Sequence, residues 1–289
     1  MINIYLEFCQ KYNIHPLDPS VYVIMCYLEY LAGRLKSPKS ISNYWGAVKL
    51  LHDINRVHLS NAEDIQVRLM FKSMSLTKRH VSFQKLPLLK HELQQMCSIL
   101  DTCNTEGLVV KTALLLGFYG FLRASNLCTQ KGEKFDNTRH FTRSDVTITN
   151  KGLNIHLKWE KNMQNGLQPR NISIPQVQPQ YADPVHSFKS MCKLIPAPSN
   201  GPLFVFAPGV PMFVGKLRKS FTLLCQAIGL DVASLSLHSL RRGGCSEAYH
   251  KGASPLDLQR HGGWHSATFW DYVYPSLTSP SSVCQALSS

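Results

Sequence analysis

The stretch His238-Ser239-Leu240-Arg241-Arg242-Gly243-Gly244 contains the residues on which the interpretation of this chain depends. We predict that it begins a helix running from His238 to His250. His238 and Arg241 are three residues apart, so a helix places both side chains on one face. An imidazole and a guanidinium on one face can bind a single phosphate, because the planar guanidinium donates two parallel hydrogen bonds to phosphate oxygens. Taken alone, the motif fits equally well a helix start with a solvated pair of arginines.

A second motif, Gly262-Gly263-Trp264, lies downstream, and Tyr272 stands eight positions after the tryptophan. Together with His238-x-x-Arg241, this arrangement resembles the C-terminal signature of the tyrosine recombinases, the phage-integrase family. It is similar in particular to the eukaryotic transposon branch of that family, the DIRS-like, Ngaro-like and Crypton-like elements. A lone His-x-x-Arg is a weak signal, whereas the combination of the two motifs is specific.

The resemblance implies a fold that is mainly α with a small antiparallel β-sheet: a helical bundle followed by an integrase-type mixed α+β catalytic domain. Residues 1–80 carry apolar residues at helical spacing and are expected to form the core-binding domain that contacts DNA. Residues 81–88, interrupted by Pro87, are expected to link this bundle to a catalytic domain at 89–275. A tail that contains Ser and Pro follows at 276–289.

Local patterns predict where individual elements begin. Asp18-Pro19 is expected to start a helix, with the proline at its first position. Alternating apolar and polar residues at 145–159 predict two strands, joined by a turn at Asn150-Lys151-Gly152. A third strand is predicted at 171–174. These three strands are the expected small sheet.

The resemblance assigns a role to each candidate catalytic residue. Tyr272 is expected to attack the scissile phosphate and form a covalent phosphotyrosyl intermediate, which conserves the bond energy and needs no ATP. Arg123 and Arg241 are expected to hold the non-bridging phosphate oxygens, where charge develops in the transition state. His238 is expected to assist proton transfer, and Trp264 to support the site.

Two of these assignments leave alternatives open. Arg123 lies in a segment that resembles the family's first arginine motif, but Asn126 stands where the family usually carries an acidic residue. Judged alone, Arg123 fits a surface arginine with a buried stem equally well. Tyr274 is the rival nucleophile; two residues along a helix turn a side chain by about 200°, so only one tyrosine can serve.

The general acid is expected in the hairpin before the third strand. In the family, a lysine there protonates the leaving oxygen. Lys161, within Glu160-Lys161-Asn162, is the matching residue, and Lys158 is the alternative. Without the resemblance, either lysine fits an ordinary solvated side chain.

The charge of the chain predicts a polyanionic partner. Lys and Arg number 31 and Asp and Glu 18, so the formal net charge is 31 − 18 = +13. Phosphate contacts and solvated surface positions are both compatible with the basic residues outside the catalytic set. The candidates for DNA contact are Arg34, Lys36, Lys39, Lys78, Arg79, Lys216, Lys219 and Arg242.

The resemblance implies double-stranded DNA as the partner, a homo-tetramer on that DNA, and integration or excision of a mobile element. No cofactor or metal is expected, since the sequence has no phosphate-binding loop and its nine cysteines lack zinc-ligand spacing. Unpaired cysteines suit a reducing compartment, which would be the nucleus in a eukaryote. No apolar run is long enough to predict a membrane span. The alternatives are an inactive, domesticated DNA-binding protein, a type IB topoisomerase and a basic RNA-binding protein.

Overall fold

The structure is a computed structural model, and it describes residues 1–77, 84–159, 169–207 and 210–274. The chain divides into two compact units, Met1–Phe83 and Gln84–Ser289. The division falls inside the segment 81–88 that the sequence marks as a linker. Helices dominate the described residues and the strands form small antiparallel sheets, which confirms the predicted fold class.

The first unit is a bundle of helices whose apolar faces meet. On the second helix, Ile24, Leu28 and Leu31 recur at helical spacing, and all three are buried. The ring of Tyr5 on the first helix meets Tyr27 edge-on, with the ring centroids 4.9 Å apart. The helices are α1 Ile2–Tyr12, α2 Val21–Arg34, α3 Pro38–Ile54 and α4 Asn61–Thr77.

The predicted start of α2 at Asp18-Pro19 is wrong. The Asp18 carboxylate accepts a hydrogen bond from the Ser20 backbone N–H at 2.8 Å, which closes a turn over residues 18–20. Ser20 keeps an extended backbone, with ψ of 123°, and α2 begins at Val21. The Asp-Pro pair therefore forms the turn before the helix.

The second unit is built around one helix, α6, that is buried over most of its length. Every residue of α6 from Gly107 to Phe118 is buried, and all of them except Lys111 and Thr112 are apolar or glycine. The helix that begins with the His238-x-x-Arg241 motif runs from His238 to His250, as predicted from the sequence. The helices are α5 Lys90–Ile99, α6 Thr105–Tyr119, α7 Ala124–Leu127, α8 Pro184–Leu194, α9 Val214–Ala227, α10 His238–His250 and α11 Pro255–Gly262.

The predicted sheet is present in the second unit. Val146 pairs with Ile155, and Ile155 pairs with Ile172, so one buried face of the sheet packs on the core. A separate two-stranded ribbon lies before α9. The sheet has the order β1 Val146–Thr149, β2 Gly152–Leu157, β3 Arg170–Ile174, and the ribbon contains β4 Val205–Ala207 and β5 Val210–Pro211.

Gly243 and Gly244 allow α10 to lie directly against neighbouring backbone. A Cβ atom at Gly243 would stand 1.8 Å from the Leu88 carbonyl oxygen, and one at Gly244 would stand 2.1 Å from the Phe118 carbonyl oxygen. Side chains do not fit at such distances, so both positions require glycine. Because Phe118 lies near the end of α6, this contact places α10 beside the segment that leads from α6 to α7.

Candidate active site

Arg241 is the centre of the candidate site and is fully buried, at 0% exposure. Its Nη1 donates a hydrogen bond to the Phe121 carbonyl oxygen, and its Nη2 donates to the Gly262 carbonyl oxygen at 2.8 Å. Its guanidinium lies 4.2 Å from the centroid of the Trp264 ring and 5.1 Å from that of Tyr272. The two carbonyl oxygens and the two aromatic faces stabilise the buried cation and fix its orientation.

The acceptor at Phe121 depends on an unusual backbone conformation. Phe121 has a φ of +48°, in the left-handed region that favours glycine. This turn ends α6 and leads into the short helix α7, whose N-cap residue is Arg123. A strained turn that orients a carbonyl group towards a catalytic candidate is a feature typical of functional sites.

Tyr272 follows a 3₁₀ turn at Ala267–Asp271, and its ring lies in the cluster around Arg241. Its ring centroid lies 5.1 Å from that of His238 and 4.7 Å from that of Trp264. Its backbone carbonyl accepts a hydrogen bond from the Ser246 hydroxyl at 3.0 Å, and this hydroxyl also accepts from the Tyr274 backbone N–H at 2.9 Å. Ser246 thereby holds the tyrosine segment against α10.

His238 is the first residue of α10 and retains an exposed side. Desolvation by the surrounding protein, with the positive charges of Arg241, Arg123 and Arg242, lowers the pKa of His238 to about 4. The imidazole is therefore neutral at pH 7 and can accept a proton. The same charges make the surroundings of His238 a favourable place for an anion.

Trp264 is 6% exposed, and its indole N–H has no hydrogen-bond acceptor among the residues that the structure describes. Buried N–H groups nearly always have an acceptor, so this donor is suited to an acceptor on a ligand. The Trp264 ring lies against Gly262, where a Cβ atom would be 1.9 Å from a ring carbon. The glycine of the second motif thus makes room for the tryptophan.

Arg123 precedes α7, and its backbone N–H donates to the Asn126 side-chain oxygen at 3.0 Å. Asn126 is buried and replaces an acidic residue by capping the helix with its amide oxygen. The Arg123 side chain is close enough to His238 for its charge to lower the pKa of that histidine. Arg123 therefore belongs to the same cluster as His238 and Arg241.

Of the two candidate general acids, the structure describes only Lys158. Lys161 lies outside the described residues. Lys158 forms an ion pair with Asp145, at 2.6 Å from Nζ to Oδ2, and both side chains are largely buried. The same carboxylate oxygen accepts from the backbone N–H and hydroxyl of Thr142. Lys158 is thus part of a structural network, and Lys161 stays a prediction.

The predicted DNA-contact residues of the first unit lie on its surface where they are described. Arg34, Lys36 and Lys39 are exposed, and the Arg34 guanidinium lies 4.3 Å from the Tyr30 ring centroid. Lys78 and Arg79 lie outside the described residues.

In the second unit, Lys219 is exposed, while Lys216 pairs with Glu106 at 2.8 Å. Arg242 differs from the expected surface position: it is 6% exposed and donates to the Gln84 side chain at 2.9 Å. That burial favours a structural role for Arg242 over a contact with DNA, although its charge still contributes to the site.

Several residues of the site carry no recognisable motif. The Arg170 guanidinium on β3 donates to the carbonyl oxygens of Arg260 and His261, at 3.2 and 2.5 Å, and so fastens the end of α11 to the sheet. The His261 ring nitrogen Nε2 bonds the Tyr119 carbonyl oxygen at 2.8 Å. Sequence reasoning missed these contacts, and that of Ser246, because backbone acceptors leave no signal in the side-chain pattern.

The described residues include neither a metal-binding cluster nor a helix that could cross a membrane. No cluster of three or more His, Cys, Asp or Glu side chains there could hold a metal ion. None of the helices in the described parts of the chain has the length and apolar character needed to cross a membrane.

The fold is shared with solved tyrosine recombinases and integrases. A structure of the Tn1549 transposon integrase in complex with a circular intermediate DNA superposes with a TM-score of 0.57 at 16% identity, covering 93% of this chain and 85% of that one. The crystal structure of XerA recombinase gives a TM-score of 0.50 at 17% identity, covering 98% of this chain and 87% of that one. No family model and no curated protein matches the sequence. At this identity the structural likeness establishes the integrase-type fold.

Proposed function

We propose that this protein cleaves and rejoins DNA strands, with Tyr272 as the nucleophile. The observation that carries the proposal is the convergence of Tyr272 on His238, Trp264 and Arg241 in one cluster. These residues come from positions up to 34 apart in the sequence, and their ring centroids and guanidinium lie within about 5 Å of Tyr272. A buried arginine, a buried indole donor and a neutral imidazole around one phenol fit attack on a phosphodiester.

In the proposed reaction the Tyr272 oxygen forms a bond to phosphorus while the bond from phosphorus to the 5′ oxygen breaks. The product is a 3′-phosphotyrosyl linkage and a free 5′-hydroxyl. The neutral imidazole of His238 accepts the phenolic proton, and a lysine, for which Lys161 is the candidate, donates a proton to the departing oxygen. Arg241 and Arg123 stabilise the charge on the non-bridging oxygens.

Attack by a 5′-hydroxyl of another strand then reverses the first step, so the cycle needs neither ATP nor a metal. Because the Tyr272 ring lies over the Arg241 guanidinium, binding of the phosphate requires a shift of this ring. The spacing of the Gly-Gly-Trp motif and Tyr272 resembles that of the eukaryotic transposon branch. We therefore extend the proposal to integration or excision of a mobile element, by a homo-tetramer on duplex DNA in the nucleus.

A nicked suicide substrate tests the proposal, because loss of a short 5′ fragment traps the covalent adduct. We expect wild-type protein and Tyr274→Phe to form the adduct, and Tyr272→Phe to form none. Tyr274→Phe is the matched control, since it removes the hydroxyl of a half-buried tyrosine two positions away. Absence of an adduct with wild-type protein that binds DNA would favour a DNA-binding protein without the activity. Relaxation of supercoils by a monomer without strand exchange would instead favour a type IB topoisomerase.

A further inference from the structure

A polar cavity lies in the second unit between α6, α8 and a 3₁₀ turn at Gln180–Ala182. Its volume is about 370 Å³, within the range of cavities that bind small organic molecules. It is separate from the catalytic cluster: Lys111 on its floor and Tyr119 near the active site are eight residues, or about 12 Å, apart along α6.

Lys111 is the feature that needs explanation. It is 7% exposed and makes no hydrogen bond or ion pair with any residue that the structure describes. Burial lowers the pKa of Lys111, and the neighbour that opposes this shift is Cys97. Burial raises the pKa of the Cys97 thiol to about 12, so this thiol is neutral and provides no counter-charge. The Lys111 stem is buried and its ammonium is accessible only from the cavity, so an anion bound there would provide the counter-charge that the described residues lack.

The rim of the cavity adds hydrogen-bond donors. The side-chain amide nitrogen of Gln180 lies 3.1 Å from Nδ1 of His186. An amide nitrogen can only donate, so Nδ1 accepts in this bond and Nε2 is the ring nitrogen that can donate. Tyr181 and Ser190, which both carry a hydroxyl group, also line the cavity. No carboxylate is among the described residues that line it.

Three polar side chains at or near the cavity already have hydrogen-bond partners within the protein. Thr112 donates its hydroxyl hydrogen to the Leu108 carbonyl oxygen at 2.8 Å, so Ser187 must donate to Thr112 in the 2.8 Å bond between the two hydroxyls. This bond joins α6 to α8 below the cavity. The Asp183 carboxylate accepts from the backbone N–H groups of Val185 and His186 as the cap of α8, and does not line the cavity.

We propose that this cavity is a binding site for a dianionic phosphate group, held by the Lys111 ammonium and by the rim donors of His186, Tyr181 and Ser190. The cavity has room for more than the phosphate itself, and the exposed Tyr181 ring at its edge provides an aromatic face for an attached base. The ligand class is thus free phosphate or a mononucleotide.

Calorimetric titration of the whole chain without DNA tests this site, with inorganic phosphate and adenosine 5′-monophosphate as probes and adenosine as the uncharged control. We expect Lys111→Met to weaken binding by 10- to 100-fold, the effect of losing a hydrogen bond to a charged group. Methionine fills a buried site well, so this variant should fold. Ser190→Asp is a second test at the partly exposed rim, where a carboxylate would repel the ligand. Lys189→Met, on the same helix and exposed, is the matched control.

Binding of a phosphate probe that Lys111→Met and Ser190→Asp weaken, and Lys189→Met preserves, supports the site. Tighter binding of the monophosphate than of phosphate identifies a mononucleotide, and equal binding identifies free phosphate. Absence of binding by both probes, equal affinity for adenosine, or full affinity in Lys111→Met overturns the proposal. DNA cleavage by Lys111→Met should be retained, so this result is independent of the proposed DNA chemistry.

Discussion

Replacement of Arg241 by lysine is the most informative perturbation of the candidate site. Arg241 donates to carbonyl oxygens of two different segments, at Phe121 and Gly262, and lies below the Tyr272 ring. Lysine keeps the positive charge but has one compact ammonium on a flexible stem, which cannot reproduce the planar fork. The variant therefore separates the geometry of the guanidinium from its charge.

The structure sets the expected size of the effect. One of the two carbonyl oxygens loses its donor in Arg241→Lys, which costs about 1–3 kcal/mol for a buried group. In the transition state the loss of one preorganised donor lowers the rate by about 100- to 1000-fold. We expect the free energy of unfolding to fall by about 1–3 kcal/mol and strand cleavage to slow by at least about 100-fold.

Single-turnover formation of the covalent DNA adduct measures the rate, and urea denaturation measures the stability. Arg218→Lys, at an exposed position on α9, is the matched control and should change neither quantity. A cleavage rate for Arg241→Lys within about threefold of wild type would refute the phosphate role of this arginine, because a preorganised donor contributes far more. The same conclusion would follow if the loss of cleavage rate were fully explained by the share of the variant that is unfolded.

Three further predictions concern groups around this centre. The pKa of His238 is lowered to about 4 in the folded protein against an ordinary value of 6.5, so the unfolded chain binds the extra proton between those values. We therefore expect the free energy of unfolding of the wild type to fall relative to that of His238→Asn as the pH is lowered from 6.5 to 4. Urea denaturation measures both values, and a difference that does not change with pH would contradict the lowered pKa of His238. Ser246→Ala removes the hydroxyl that donates to the Tyr272 carbonyl oxygen. Because this hydrogen bond contributes about 1 kcal/mol to the positioning of Tyr272, we expect adduct formation to slow about fivefold while the DNA affinity stays unchanged. An unchanged rate would show that the tie is unnecessary. Gly244→Ala should destabilise the protein by about 1–3 kcal/mol or more by overpacking, whereas Gly33→Ala, in α2 with no atom within 4 Å of the added Cβ, should stabilise it by about 0.5–1 kcal/mol. Thermal or urea unfolding compares the two, and equal shifts would contradict the packing at α10.

The parts of the fold that were predictable are those that the side-chain pattern specifies. The strands β1 and β2 follow from the alternation of apolar and polar residues, and α10 begins at the His238-x-x-Arg241 motif, where the helix was predicted. The start of α2 was not predictable from Asp18-Pro19, because proline fits equally well in a turn and in the first position of a helix. The Asp18 bond to the Ser20 N–H decides in favour of the turn.

The candidate site was predictable in its side chains and not in its backbone. The two motifs identify His238, Arg241 and Tyr272, but no pattern shows that Arg241 donates to the carbonyl of Phe121. That contact requires a positive φ at a phenylalanine, a residue that rarely adopts one, whereas sequence reasoning would place such a turn at a glycine. The burial of Arg242 was likewise hidden, because adjacent arginines on a helix look equally solvated in a sequence.

The central claim is that Tyr272 becomes covalently attached to DNA. Protease digestion of the trapped adduct, followed by mass spectrometry of the nucleotide-linked peptide, locates the attachment to one residue. The account predicts a 3′-phosphotyrosyl bond at Tyr272. Attachment at Tyr274 or any other residue, or a trapped product without linked peptide, would contradict it.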